Sequence, residues 1–220
     1  MNTTPERNGP TLRQKPSNSE ETLRILRAIS NIPKSVYYPS DDSFLMLHAI
    51  SNIPLQGKRV LDIGTGSGIL AVFCALRGAR VTATDIDKNA PRQAEKVAEA
   101  LGVEVRAVIS DLFQNVPERF HYVLFNPPYV PSEGIVDKAI DAGPMGRILI
   151  ERFLRDLPSH LEPDGTAFLL VSSINKPDSV VLEHPEFQFR LLAKRRLFFE
   201  QLQVLGLRFR EDFAAKGFQR

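Results

Sequence analysis

A chain of 220 residues, 43% hydrophobic and 25% charged, can bury one sizeable core and has none of the bias of a disordered or fibrous protein. Its formal net charge of +2 gives no strong prior for a dedicated nucleic-acid or membrane binder. Cys74 is the only cysteine, which rules out intramolecular disulfides and argues against cysteine-ligated zinc. Set in the apolar run ILAVFCAL, it reads as a small buried hydrophobe.

Residues 1 to about 19 are rich in Asn, Thr, Pro and Ser and read as a polar mobile tail ahead of a single domain over 20–220. They contain no apolar leader, and no segment approaches the ~18 apolar residues of a membrane span. A reducing, cytoplasmic location with no membrane partner is expected. A helix is predicted from near Ser19, with Thr22, Ile25, Leu26 and Ile29 on one face, ending at SNIP before Pro33. The hexapeptide AISNIP recurs at 28–33 and 49–54, which reads as two helices with one stop signal.

The chain then alternates. KRVLDI predicts a strand, followed by a helix from Ser67 with Ile69, Val72, Phe73 and Leu76 aligned. ARVTAT predicts a second strand and residues 89–101 a helix, with Ala94, Val97, Ala98 and Leu101 facing inward and Pro91 in its first turn. VEVRAVI and HYVLFN are further strands. A helix over about 146–158 aligns Ile150, Phe153, Leu154 and Leu157, and GTAFLLVSS is a fifth strand. The last segment, 187–210, reads as two strands joined by a short turn, an antiparallel pair at one edge. The pattern predicts an α/β, Rossmann-like fold: a mostly parallel sheet covered on both faces, with ligands bound beyond the carboxyl ends of the strands.

Motifs stand at those ends. The first strand runs into Asp62-Ile63-Gly64-Thr65-Gly66-Ser67-Gly68. This D-x-G-x-G-x-G spacing differs from the dinucleotide fingerprint G-x-G-x-x-G, because position 69 is Ile. It suits S-adenosylmethionine, with glycines admitting a close ligand and Asp62 facing a methionine ammonium. Asp85, 23 positions on, offers two acceptor oxygens to a ribose diol, while Asp87 is placed to cap the next helix. Asp111 after the third strand is a candidate acceptor for an adenine amino group, with Leu112 packing on the ring.

The fourth strand ends in Asn126-Pro127-Pro128-Tyr129. The amide oxygen of Asn126 and the carbonyl of Pro127, held extended by Pro128, are two fixed acceptors for both hydrogens of one planar NH₂ group. Tyr129 is placed to stack on that plane. Such nitrogens are weak nucleophiles, so two aimed hydrogen bonds would orient the nitrogen and stabilise the charge that develops on it.

Together DIGTGSG, TDID, SDLF and FNPPY resemble the class I S-adenosylmethionine-dependent methyltransferases. Within them the chain is similar to the short HemK-type protein-glutamine N5-methyltransferases, which act on the Gly-Gly-Gln loop of translation release factors. VYYPSDDSFLML at 36–47 resembles the family's VYEPAEDTFLLL segment, whose Thr contacts the cofactor; Ser43 stands there. AGPMGR at 142–147 resembles GGxxGR, and AKRRLFFEQLQVL resembles the C-terminal strand pair. The resemblance implies a seven-stranded sheet and cofactor binding by Ser43, Asp62, Gly64, Gly66, Gly68, Asp85, Asp111, Leu112 and Asn126. Asn126, Pro127 and Tyr129 would hold the substrate amide, and no metal is implied at the site. Tyr38 replaces a family Glu, Ala142 the first Gly of its motif, and Pro144-Met145 alters the loop that would meet substrate. The helical N-terminal domain of the bacterial release-factor enzymes has no room in the first 35 residues, so the short archaeal and eukaryotic type is the better likeness. That type often works with a small zinc-binding Trm112-like partner.

Two other readings compete. NPPY would also grip adenine N6 or guanine N2 in nucleic acid, and Lys194-Arg195-Arg196 is either a contact for it or a solvated turn. A non-enzymatic S-adenosylmethionine-binding scaffold is the third, against which stands the presence of every expected acid and of Asn126.

Overall fold

A computed structural model describes residues 18–128 and 147–210. In chain order the elements are α1 (Asn18–Ala28), α2 (Asp41–Ile50), β1 (Arg59–Ile63), α3 (Ile69–Leu76), β2 (Arg80–Asp85), α4 (Asn89–Ala100), β3 (Val105–Ile109) and β4 (Phe120–Phe125). Then follow α5 (Ile148–His160), β5 (Leu161–Ser172), a 3₁₀ turn (Ser173–Asn175), α6 (Pro177–Glu183), β6 (Phe187–Arg196) and β7 (Gln201–Phe209).

The seven strands form one sheet in the order β3-β2-β1-β4-β5-β7-β6. The first five in that row are parallel, and β7 is antiparallel to both of its neighbours. Because β1 lies between β2 and β4, the carboxyl ends of β1, β2, β3 and β4 emerge side by side along one edge.

Both faces of the central strands are covered, which is why β1 and β2 bury four successive residues each. Val60 and Leu124 join α1 to α4 in one core, while Leu61, Ile63, Val123 and Phe125 join α5 and α6 in the other. Phe153, fully buried on α5, packs against Phe125 and Phe113 at ring separations of 4.8 and 5.6 Å. Phe113 also stacks on His160 at 4.3 Å. No helix covers the connection from β3 to β4, and its Leu112, Phe113 and Val116 fill that side themselves.

The predicted elements are all present, with shifts at the ends. The helix after the glycine turn starts at Ile69, two residues later than expected, since Gly68 is its N-cap in a left-handed conformation. The fifth strand starts at Leu161, directly after α5, and pairs Phe120 before three extra residues loop out ahead of Thr166. Its LEPDG stretch carries turn chemistry that masks this start. The 3₁₀ turn and α6 were not predicted: α6 is seven residues long and buries only Val180, too little for a helical period to show. Both copies of AISNIP do end helices, but by different exits, with Asn31 at positive φ and Asn52 not.

β6 carries a bulge. Leu191 pairs with Leu205 and Ala193 with Val204, so Leu192 is the extra residue. Its side chain covers Gly206, where an added Cβ would sit 2.8 Å from Leu192 Cδ1. Facing residues share a side of the sheet, so Phe187 and Phe189 lie with Leu207 on the α5 side. Beyond the bulge, Ala193 and Arg195 lie with Val204 and Leu202 on the α2 side.

Replacing Phe153 by Ala is expected to lower the unfolding free energy by about 3–5 kcal/mol in urea titrations. Leu182→Ala, at a position 80% exposed, is expected to change it by less than about 0.5 kcal/mol.

Candidate active site at the carboxyl edge of the sheet

Asp62, on the last turn of pleat in β1, is 1% exposed. Its Oδ2 accepts the Thr65 hydroxyl at 2.7 Å, and the amide of Ala71 in the first turn of α3 also donates to it. Burial pushes its pKa up to about 7, against the opposing pull of those two hydrogen bonds. The carboxylate therefore ties the strand to the helix it precedes.

The glycines of this loop have distinct reasons. At Gly68, φ is +84° and a Cβ would stand 2.5 Å from the Cα of Ala94, so the loop is pressed onto the backbone of α4. At Gly66, φ is +50° and a Cβ would meet Tyr37 at 3.3 Å. Gly64 lies beside the end of β4: its missing Cβ would be 3.9 Å from the Asn126 carbonyl oxygen, with nothing closer.

Asp85, at the end of β2, accepts backbone hydrogen bonds on both oxygens. Oδ2 accepts the Gly66 N–H at 3.1 Å and Oδ1 the Asp87 N–H at 3.0 Å. Burial raises its pKa too, and the backbone bonds offset that in part. The Ile86 N–H bonds it as well, and the roughly four lone-pair sites of a carboxylate still leave room for a further donor. Asp87, expected to cap the next helix, stands one residue before its N-cap Lys88 and accepts the Asn89 N–H at 2.9 Å.

After β3 the chain turns through Leu112 at φ +49°, held by Ser110, whose hydroxyl donates to Leu112 O at 2.9 Å and accepts from Asn115 N. Leu112 is 7% exposed and belongs to the α5-side core, so little of it faces outward in this state. Asp111 Oδ2 accepts Arg152 Nη2 from α5 at 2.8 Å, and among the described residues Oδ1 is left as an open acceptor.

Ser43 is buried at the start of α2, where its hydroxyl donates to Asp42 and accepts the Ser40 N–H at 3.4 Å. The Tyr37 hydroxyl donates to Asp42 Oδ2 at 2.9 Å, and burial ahead of the Asp42 charge pushes its pKa up to about 12. The 36–43 segment thus crosses the glycine loop with Tyr37 as its contact.

Asn126 is half-buried just past β4. Its Oδ1 is buried and accepts no hydrogen bond among the described residues. A buried acceptor without a donor is costly, by roughly 1–3 kcal/mol, and asks for a ligand N–H or O–H. Pro127 follows it directly; Tyr129 and the altered 142–145 loop lie outside the described residues. Arg147, at the end of that loop's motif, pairs with Glu151 and Glu183 at 2.5 Å each, clamping α5 to α6.

The structure thus brings Asp62, Gly64, Gly66, Asp85, Asp111, Asn126 and Pro127 to one edge. Sequence reasoning passed over Tyr37, Asp42, Thr65 and Arg152. Asp42 and Thr65 sit inside the motifs already singled out, but Arg152 comes from a distant helix and nothing local marks it. A separate cleft of about 470 Å³, lined by Glu21, Arg24, Leu55, Gln56 and Arg77, carries none of the strand-end acids.

A parallel sheet with a glycine turn after its first strand and acids at the following strand ends defines a class I, Rossmann-like methyltransferase. The methyltransferase small domain family matches residues 41–199, and the chain belongs to that family. A chain of Methanocaldococcus jannaschii described as a protein N5-glutamine methyltransferase is 33% identical over 180 residues, covering 78% of this chain and 90% of its own length. A ribosomal RNA small subunit methyltransferase C of Chromohalobacter salexigens is 36% identical over 142 residues, 64% of this chain but 39% of that protein. Among solved structures, the E. cuniculi Mtq2–Trm112 complex, responsible for methylation of the eRF1 translation termination factor, superposes with a TM-score of 0.64. It is 28% identical and covers 80% of this chain and 99% of its own. No helix among the described residues is long and apolar enough to cross a membrane.

Unfolded, Asp62 ionises near pH 4; folded, it does so near 7. Its contribution to stability is complete below about pH 4 and is lost as pH rises to about 7, where the native state must hold a buried charge. Asp85 is shifted in the same direction. The ligand-free protein is expected to melt at a lower temperature at pH 8 than at pH 5.5. Asp62→Asn should flatten that slope, and an unchanged slope would assign it to other groups.

Proposed function

We infer that this chain transfers a methyl group from S-adenosylmethionine to the side-chain amide of a glutamine in a protein, of the translation release factor class. The observation that carries this reading is the buried, unpartnered Oδ1 of Asn126 beside Gly64. The chemistry of the edge fits the cofactor. Asp85 has lone pairs left for a ribose diol, Asp111 Oδ1 for an adenine amine, and the buried charge of Asp62 favours a cation above the loop. Ser43, Gly66 and Gly68 shape the cradle, and Leu112 would form its apolar floor. When bound, S-adenosylmethionine supplies an electrophilic methyl on a sulfonium.

The chain's own part is positioning. Asn126 Oδ1 and the Pro127 carbonyl accept the two N–H groups of the substrate amide, which fixes the direction of the nitrogen lone pair. As that lone pair leaves conjugation, the nitrogen becomes positive and its N–H groups more acidic, so both hydrogen bonds strengthen toward the transition state. Tyr129 would stack on the amide plane. The surplus proton leaves to water, and no side chain is needed as general base. A glutamine substrate is supported by the M. jannaschii relative and the Mtq2 neighbour; the latter also supports a Trm112-like partner. A nucleobase amine presents the same planar NH₂, and the partial match to the ribosomal RNA enzyme is the observation on that side.

Incubating the protein with S-adenosylmethionine and a release factor, and separately with RNA and DNA, should place the added methyl on glutamine by mass spectrometry. Methylated RNA beside an unmodified release factor would replace the first reading by the second. Asn126→Ala is expected to lower transfer by about 10²–10³-fold. Cofactor affinity, read by calorimetry, should stay within a few-fold.

A further inference from the structure

The β6–β7 hairpin ends in Leu197-Phe198-Phe199-Glu200, and the two phenylalanines are 93% and 91% exposed. Their rings meet edge to face at 4.6 Å and form a single wedge. The turn beneath them is fixed. Leu197 N donates to Glu200 O at 2.8 Å, the Ser172 hydroxyl donates to the Glu200 carboxylate, and Gln201 N donates to Ser173 Oγ. An ordered turn that leaves two phenylalanines in water forgoes several kcal/mol of burial, which marks a surface made to be covered.

Its place in the fold says what covers it. β6 runs parallel to β5, so the tip emerges at the same edge as Asn126. Leu202 is level with Ser172, and Phe125 with Leu169. At about 3.3 Å per residue and 4.8 Å per strand, the base of the tip stands roughly 7 Å beyond Asn126 and two strands, roughly 10 Å, to its side. Arg195 pairs with Asp41 at 3.0 Å and ties the hairpin to the start of α2, beside Ser43. Lys194 and Arg196 share the other side with Gln203 and Gln201; both are exposed, with no ion pair among the described residues. A cationic strand below an apolar wedge complements an apolar pocket edged by carboxylates. Phosphate polymers fit less well, since the edge-to-face pair offers no parallel platform for successive bases and the chain's net charge is only +2.

We propose that the Phe198–Phe199 tip, with Lys194 and Arg196, is the docking surface for the protein that carries the acceptor amide. This rests on the amide-methyltransferase reading above and adds where the body of the substrate protein is held. The test uses the full chain, a release factor, and a short synthetic peptide of that factor's glutamine loop. For F198S/F199S, kcat/KM on the release factor is expected to fall at least about tenfold, mainly through KM. Turnover of the peptide and the melting temperature should change by less than twofold and by about a degree. K194E/R196E is expected to lower kcat/KM on the release factor and to remove its salt dependence. Equal activity of wild type and F198S/F199S on the release factor overturns the docking surface while leaving the amide reading intact. A wild type inert on both release factor and peptide overturns both. Loss confined to an RNA substrate hands the surface to nucleic acid and overturns the proposal as well.

Discussion

A carboxylate removed from water holds this site together. Asp62 accepts from Thr65 and from the first turn of α3, so the end of β1, the glycine loop and the helix behind it move as one piece. Neighbouring strands and helices make contacts of their own to that piece. Asp85 takes the Gly66 amide, Tyr37 lies over Gly66, and Ala94 lies under Gly68. Burying an ionisable group so deeply is destabilising in itself, and it is tolerated because its hydrogen bonds complete a turn that the backbone cannot close alone.

The acids and the amide divide the labour accordingly. Asp62, Asp85 and Asp111 each hold loop, backbone or Arg152, so the fold itself sets their geometry. Asn126 is the opposite case, a buried acceptor with no hydrogen-bond partner among the described residues. On the reading proposed above, fixed surroundings and an acceptor of this kind would recognise a substrate by a hydrogen bond gained rather than by a shape induced.

Much of this was readable in the sequence. Strand ends were legible because the mainly apolar stretches of β1 to β4 give way to a polar residue at Asp62, Asp85, Ser110 and Asn126. The glycine loop was legible by spacing, but not its reasons: that Gly68 answers to Ala94 depends on how two helices pack, which no local pattern encodes. Arg152 was invisible for the same cause, since its partner Asp111 lies 41 positions away. Leu112 lies 7% exposed in the α5-side core, where no helix stands between β3 and β4 to cover that side, and nothing in the residues around it announced that burial.

The bulge at Leu192 has a further meaning for how the molecule is built. The inner half of β6 addresses its phenylalanines to one side of the sheet, and the outer half addresses Arg195 to the other. The strand is therefore two segments read in opposite phase, joined by one surplus residue resting on Gly206. Core and rim are written in separate frames, and the rim can drift in sequence and aim while the frame that packs Phe187 and Phe189 stays still.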